Sequence, residues 1–101
     1  LGDDIFGHAA VKNFNDHQIN TDHLKLSKRS STGTACITVR EDGENSIVVV
    51  LGANELVTEK DITEAEEIIK NSKVLCCQLE IPVNSTLHAL KTAKKHGGIF
   101  N

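Results

Sequence analysis

Apolar residues change their spacing several times along the chain, and each change marks a new element. Phe6, Ala10 and Phe14 recur at i, i+4 and i+8, on one side of a helix that Asp3 or Asp4 can cap by accepting orphan amide hydrogens. The helix fades near Asp16, Ile19-Asn20-Thr21-Asp22 reads as a turn, and His23 to Ser27 as a short strand. From Thr34 the period falls to two: Ala35, Ile37 and Val39 share one face, and Thr34, Cys36, Thr38 and Arg40 the other. Glu41 to Asn45 supplies a turn, with Gly43 free to take positive φ. The return segment Ser46 to Leu51 is apolar on both faces, so this hairpin needs cover on each side.

Helical spacing then resumes. Thr58-Glu59-Lys60-Asp61 is a near capping box, followed by the stripe Ile62, Ala65 and Ile69. Val74 to Leu79 reads as a buried strand. Pro82 suits the first turn of a further helix with the stripe Val83, Leu87, Leu90 and Ala93. Lys91, Lys94, Lys95 and His96 lie towards its negative end, and Gly97-Gly98 stops it. Ile99-Phe100-Asn101 begins another strand. This α-β-α-β order predicts an α/β fold whose parallel strands are joined by right-handed crossovers.

Composition narrows the function. The chain has 101 residues, 39% apolar and 25% charged, with a formal charge of −3, which describes one small globular domain. No basic stripe is present, so nucleic acid is not an expected partner. The longest apolar run, Ile47 to Leu51, is far too short to cross a bilayer, and no membrane association is expected. Cys36, Cys76 and Cys77 form no C-x-x-C pair and read as free thiols in a reducing cytosol, the last two as core filling. The five histidines lie on predicted surfaces with nothing to pair them. No G-x-G-x-x-G, P-loop, nucleophile elbow or metal-ligand spacing occurs.

Two features carry candidate chemistry. In Lys73-Val74-Leu75-Cys76-Cys77-Gln78-Leu79-Glu80-Ile81-Pro82 an apolar strand runs straight into an acid. Glu80 is either the first solvated residue after the strand or a ligand holder, because open α/β sheets bind ligands beyond the carboxyl ends of their strands. A carboxylate there can accept hydrogen bonds from vicinal hydroxyls. The hairpin is the second feature: it either packs on its own sheet or covers a small site and excludes water. Gly52-Ala53-Asn54 reads as turn chemistry or a shaped loop near a ligand.

The order Leu1-Gly2-Asp3-Asp4-Ile5-Phe6-Gly7, Ser31-Thr32-Gly33-Thr34-Ala35, Glu44-Asn45 leading into a Val/Ile strand, Gly52-Ala53-Asn54 and Gln78-Leu79-Glu80 closely resembles the ribokinase family of ATP-dependent sugar kinases, over the whole chain. The resemblance implies a central parallel α/β sheet with a small β-hairpin lid, of which this chain would be a fragment. Residues 1–101 would form a partial domain, with the lid at about 34–51 and core segments at 1–30 and 55–101. It implies D-ribose and ATP as substrates, D-ribose 5-phosphate as product, Mg²⁺ and K⁺ as cofactors, and a homodimer whose lids clasp. Glu80 matches the acid that bonds ribose hydroxyls, and Ala35 and Ile37 match lid positions packing over the sugar. The catalytic base, the anion hole and the metal ligands have no match in this chain, so it is expected to be inactive alone. A kinase of the same family acting on fructose or a nucleoside, or a non-catalytic module that keeps the clasp, are the alternatives. The expected compartment is the cytoplasm, with the nucleus second. The absence of an initiator methionine and the stop inside a strand point to a piece of a longer protein.

Overall fold

A computed structural model describes residues 1–100. The chain forms two compact units, Leu1–Asn54 and a second beginning at Glu55.

In the first unit, α1 (Ile5–Asp16) starts at Asp4, whose extended backbone and carboxylate make it the N-cap, accepting from the Gly7 amide at 2.8 Å. Gly7 is buried, and a Cβ there would collide with the Gly2 carbonyl. Of the expected apolar stripe, Ala10 and Phe14 are half-buried while Phe6 is 59% exposed. The strand expected over 23–27 reduces to one parallel bridge, Gly2 to Ser27. Its partner among the described residues is the Leu1–Asp3 segment, which turns into the helix cap at once.

β1 (Thr34–Val39) and β2 (Asn45–Val50) pair antiparallel, with Ala35 opposite Val49, Cys36 opposite Val48 and Ile37 opposite Ile47. Gly43 takes φ +88° in the tip, where the Arg40 amide reaches the Glu44 carbonyl at 2.8 Å. Arg40 also pairs with Asp42 at 2.6 Å and Glu44 at 3.1 Å, exposed contacts of little energetic consequence. Every strand residue of the hairpin is exposed, Val48 to 70% and Ile37 to 57%. Gly52-Ala53-Asn54 opens a 3₁₀ turn, Gly52–Leu56, with Ala53 buried.

The second unit begins with α2 (Glu59–Glu64) and α3 (Glu66–Asn71), where the sequence suggests one helix. The capping box is complete: Thr58 and Asp61 bond each other's backbone amides. At Ala65 the chain takes ψ near 6°, its amide reaches back to Ile62 as well as Asp61, and the two short helices each pack on α4. β3 (Val74–Leu75), α4 (Val83–Lys95) and β4 (Ile99–Phe100) form a β-α-β unit with parallel pairing of Val74 to Ile99 and Leu75 to Phe100.

Three expectations need correction. Of the strand read over 74–79, residues 74–75 pair among the described residues; Asn101, read as part of the partner strand, lies outside them. Cys76 is exposed and Cys77 half-buried, where core filling was expected. The buried face of α4 is Ser85, Thr86, Ala89, Thr92 and Ala93, whereas Val83 and Leu87 of the expected stripe are 59% and 45% exposed. Small side chains let neighbouring elements approach closely. Their hydroxyls are satisfied within the unit: Ser85 Oγ donates to the Val57 carbonyl at 2.8 Å and Thr92 Oγ1 to the His88 carbonyl at 2.9 Å. No helix among the described residues is long and apolar enough to cross a membrane.

Candidate functional site

Directly opposed residues of an antiparallel pair project to the same side. The register therefore gathers Ala35, Ile37 and Val39 with Ile47 and Val49 on one face, and Thr34, Cys36 and Thr38 with Ser46, Val48 and Val50 on the other. The first face is apolar but for Asn45, which opposes Val39. The second is mixed.

Glu80 lies in the second unit, in the bends between β3 and α4, with its side chain exposed. The Thr86 hydroxyl holds the Gln78 carbonyl at 3.4 Å, and Pro82, at φ −52°, caps α4. The acid thus stands beyond the carboxyl end of a parallel strand and ahead of the helix that follows it, the position at which open α/β sheets receive ligands. Ala35 and Ile37 stand together on their own unit; Glu80 belongs to the other.

The histidines correct the expectation that nothing pairs them. His8 lies 2.8 Å from Asp3, His88 lies 3.1 Å from the Thr63 hydroxyl, and His96 lies 2.8 Å from Glu66. Glu66 also receives Lys95 at 3.0 Å, and the His96 and Lys95 contacts hold its carboxyl down to about 2. Neither the spacing of 66 and 96 nor their surroundings in the sequence signals this pair, since only the packing of α3 on α4 creates it. Asp4 is likewise held down to about 2, by the Thr32 amide, the Gly7 amide and the Thr32 hydroxyl. The Cys77 thiol is pushed up by burial and by Cys76, which disfavours a reactive thiolate.

Both carboxyls ionise more readily in the folded chain than in the unfolded one, so the stability they contribute is present above pH 4.5 and is lost as pH falls towards about 2. Glu66→Gln should lower the melting temperature at pH 7, and that difference from the wild type should close between pH 4.5 and about 2. Thermal melts of both proteins across that range check it.

A recess of about 90 Å³ lined by Glu59, Asn84, Leu87, His88 and Lys91 is smaller than pockets that enclose small molecules, roughly 300 Å³ and above. Mg²⁺ needs several oxygen ligands, carboxylates foremost. Among the described residues no three of His, Cys, Asp and Glu stand close enough to hold a metal ion. These residues do not fit such a site.

A β-α-β unit with an acid beyond its strand in one unit, and an antiparallel two-stranded ribbon in the other, define a segment of an α/β protein. The family model of the pfkB family carbohydrate kinases matches residues 1–101, and the chain belongs to that family. It is 44% identical over 95 residues to a ribokinase of Dictyostelium discoideum, covering 94% of this chain and 30% of that protein. A deoxyribokinase of Salmonella typhi is 35% identical over 97 residues, 96% of this chain and 32% of that protein. The structure of Arabidopsis thaliana ribokinase complexed with ribose and ATP superposes with a TM-score of 0.80 at 29% identity, over 99% of this chain and 33% of that one. The fold is that of the ribokinase-like α/β proteins, and the chain spans about a third of their length.

Proposed function

We propose that this chain is the sugar-facing segment of a ribokinase, a cytoplasmic enzyme that transfers the γ-phosphoryl group of ATP to D-ribose and yields D-ribose 5-phosphate. The observation that carries the reading is the place of Glu80 beyond the carboxyl end of β3, where a carboxylate can accept hydrogen bonds from two neighbouring sugar hydroxyls. The hairpin acts as a lid. Its face of Ala35, Ile37, Ile47 and Val49 lies over the sugar and excludes water from the reacting hydroxyl, which would otherwise compete for the phosphoryl group. Its other face, with Cys36, Val48 and Val50, meets the lid of a second copy in a homodimer. The base, the anion hole, the adenine pocket and the sites for Mg²⁺ and K⁺ belong to the remainder of the enzyme.

Phosphoryl transfer rests on positioning and charge stabilisation, and this segment supplies neither to the phosphates. The chain alone is expected to show no ribose-dependent release of ADP in a coupled assay. Release well above the blank that disappears in Glu80→Ala would overturn this division of labour.

The 35% identity to a deoxyribokinase supports a second reading, in which 2-deoxyribose is the better substrate. A site built to bond a hydroxyl rejects the analogue lacking it, because its buried polar group is left unpaired. The test is kcat/KM for D-ribose against 2-deoxy-D-ribose in the complete enzyme. A ratio well above one supports the ribose reading; a ratio below one selects the deoxy sugar.

A further inference from the structure

We propose that Asp4 is a positioning residue for sugar binding: one carboxylate both caps α1 and anchors the root of the hairpin through Thr32. The proposal rests on the lid reading given above.

The geometry divides the work between the two oxygens. Asp4 Oδ1 accepts from the Gly7 amide at 2.8 Å and from the Thr32 hydroxyl at 2.7 Å. Oδ2 accepts from the Thr32 amide at 2.7 Å. Thr32 is buried, and its hydroxyl in turn accepts from the Gly2 amide at 3.0 Å. Two residues later β1 begins. The second leg of the hairpin is joined to the first at the same level, for the Ala53 amide donates to the Ser31 carbonyl at 2.7 Å. Gly52, at φ +57°, passes so close to that carbonyl that a Cβ would collide with it. Both legs therefore leave from one knot, and the knot is tied to the helix through Asp4. The hairpin beyond it has no buried residue of its own, so its direction is set at the root.

A ribbon that must settle over a ligand repeatedly needs its root held while its blade moves; lids turn on a few residues at their base. A charged acceptor suits this task, because its hydrogen bonds are shorter and stronger than neutral ones. The anchor is local, and the ATP-binding parts of the enzyme lie outside this chain, so its loss should be read in sugar binding and not in nucleotide binding.

Asp4→Asn separates cap from anchor. Asparagine caps helices as well as aspartate, and its Oδ1 can keep the Gly7 amide and the Thr32 hydroxyl. Its NH₂ then faces the Thr32 amide, donor against donor. In the complete enzyme, Asp4→Asn is expected to speed amide exchange at residues 31–34 and 51–53 and to raise the ribose KM about tenfold, the loss of one charge-assisted hydrogen bond, with the ATP KM unchanged. Thr32→Val should do the same, and Thr32→Ser, which keeps the hydroxyl, should behave as wild type. Ile37→Lys serves as the control for the lid itself. Unchanged exchange in Asp4→Asn would overturn the anchor. Faster exchange with an unchanged ribose KM, while Ile37→Lys raises that KM, would overturn the positioning role and leave the lid standing. An unaltered ribose KM in Ile37→Lys would remove the lid reading and the proposal with it.

Discussion

Val48→Lys in the complete enzyme should convert a dimer to a monomer, while Val49→Lys should leave the dimer intact and impair ribose binding. The two residues are neighbours in sequence and on opposite sides of the ribbon. Val48 pairs with Cys36, and Val49 pairs with Ala35. A clasp between two copies of the Cys36–Val48 face is isologous, so one substitution places two unpaired charges in it. Leaving a single buried charge without a partner costs about 3–5 kcal/mol, so the dimer dissociation constant should rise by at least roughly two orders of magnitude. On the Ala35 face the ammonium sits over the sugar instead and raises its KM. Sedimentation of both variants, with ribose kinetics on each, decides the matter. If both remain dimeric with normal kinetics, the hairpin is neither clasp nor lid.

Glu80→Gln keeps the shape of the side chain and removes the charge from the hydrogen bonds proposed between Glu80 and the sugar hydroxyls. A hydrogen bond to a charged group contributes about 1.5–3 kcal/mol, so kcat/KM for ribose should fall roughly 10–150-fold. The KM for ATP should stay where it was, since no part of this segment is assigned to the nucleotide. Steady-state kinetics with each substrate varied in turn measure both effects. Unaltered ribose kinetics would return Glu80 to the status of a solvated acid at the end of a strand.

Part of the architecture was legible because it depends on neighbours in sequence. The first helix with its Asp4 cap, the capping box of Thr58 and Asp61, the Gly43 turn and the stop after His96 follow from short-range bonding that a few consecutive residues complete among themselves. The hairpin and the β-α-β order are legible for a related reason, since a change of apolar period from two to about 3.6 records a change of backbone geometry. Glu80 was singled out because it follows an apolar strand.

What failed did so where an element needs a distant partner. Among the described residues the strands read over 23–27 and 74–79 pair only as a bridge and a two-residue ladder. The buried face of α4 turned away from Val83 and Leu87 to the small residues Ser85, Ala89 and Thr92. An apolar stripe says that a face wants cover, not which neighbour arrives; the Ser85 hydroxyl reaches the Val57 carbonyl of the segment ahead of α2, and so close an approach selects small side chains. The pairing of Glu66 with His96 and of Asp4 with Thr32 joins residues about 30 positions apart that no local pattern links.

The sequence by itself determined the first helix, the hairpin, the β-α-β order, the family and the acid after the strand, since each is written in adjacent residues or in the spacing of short motifs. Which hairpin residues share a face with Ala35 and Ile37 was settled only by the tertiary structure. The strand Ser46 to Leu51 is apolar on both sides, so alternation alone leaves Val48 and Val49 equivalent, and a slip of one residue would exchange them. The pairing of Ala35 with Val49 and Ile37 with Ile47 breaks that symmetry, because backbone hydrogen bonds between two strands admit one register at a time and carry every side chain to one face or the other.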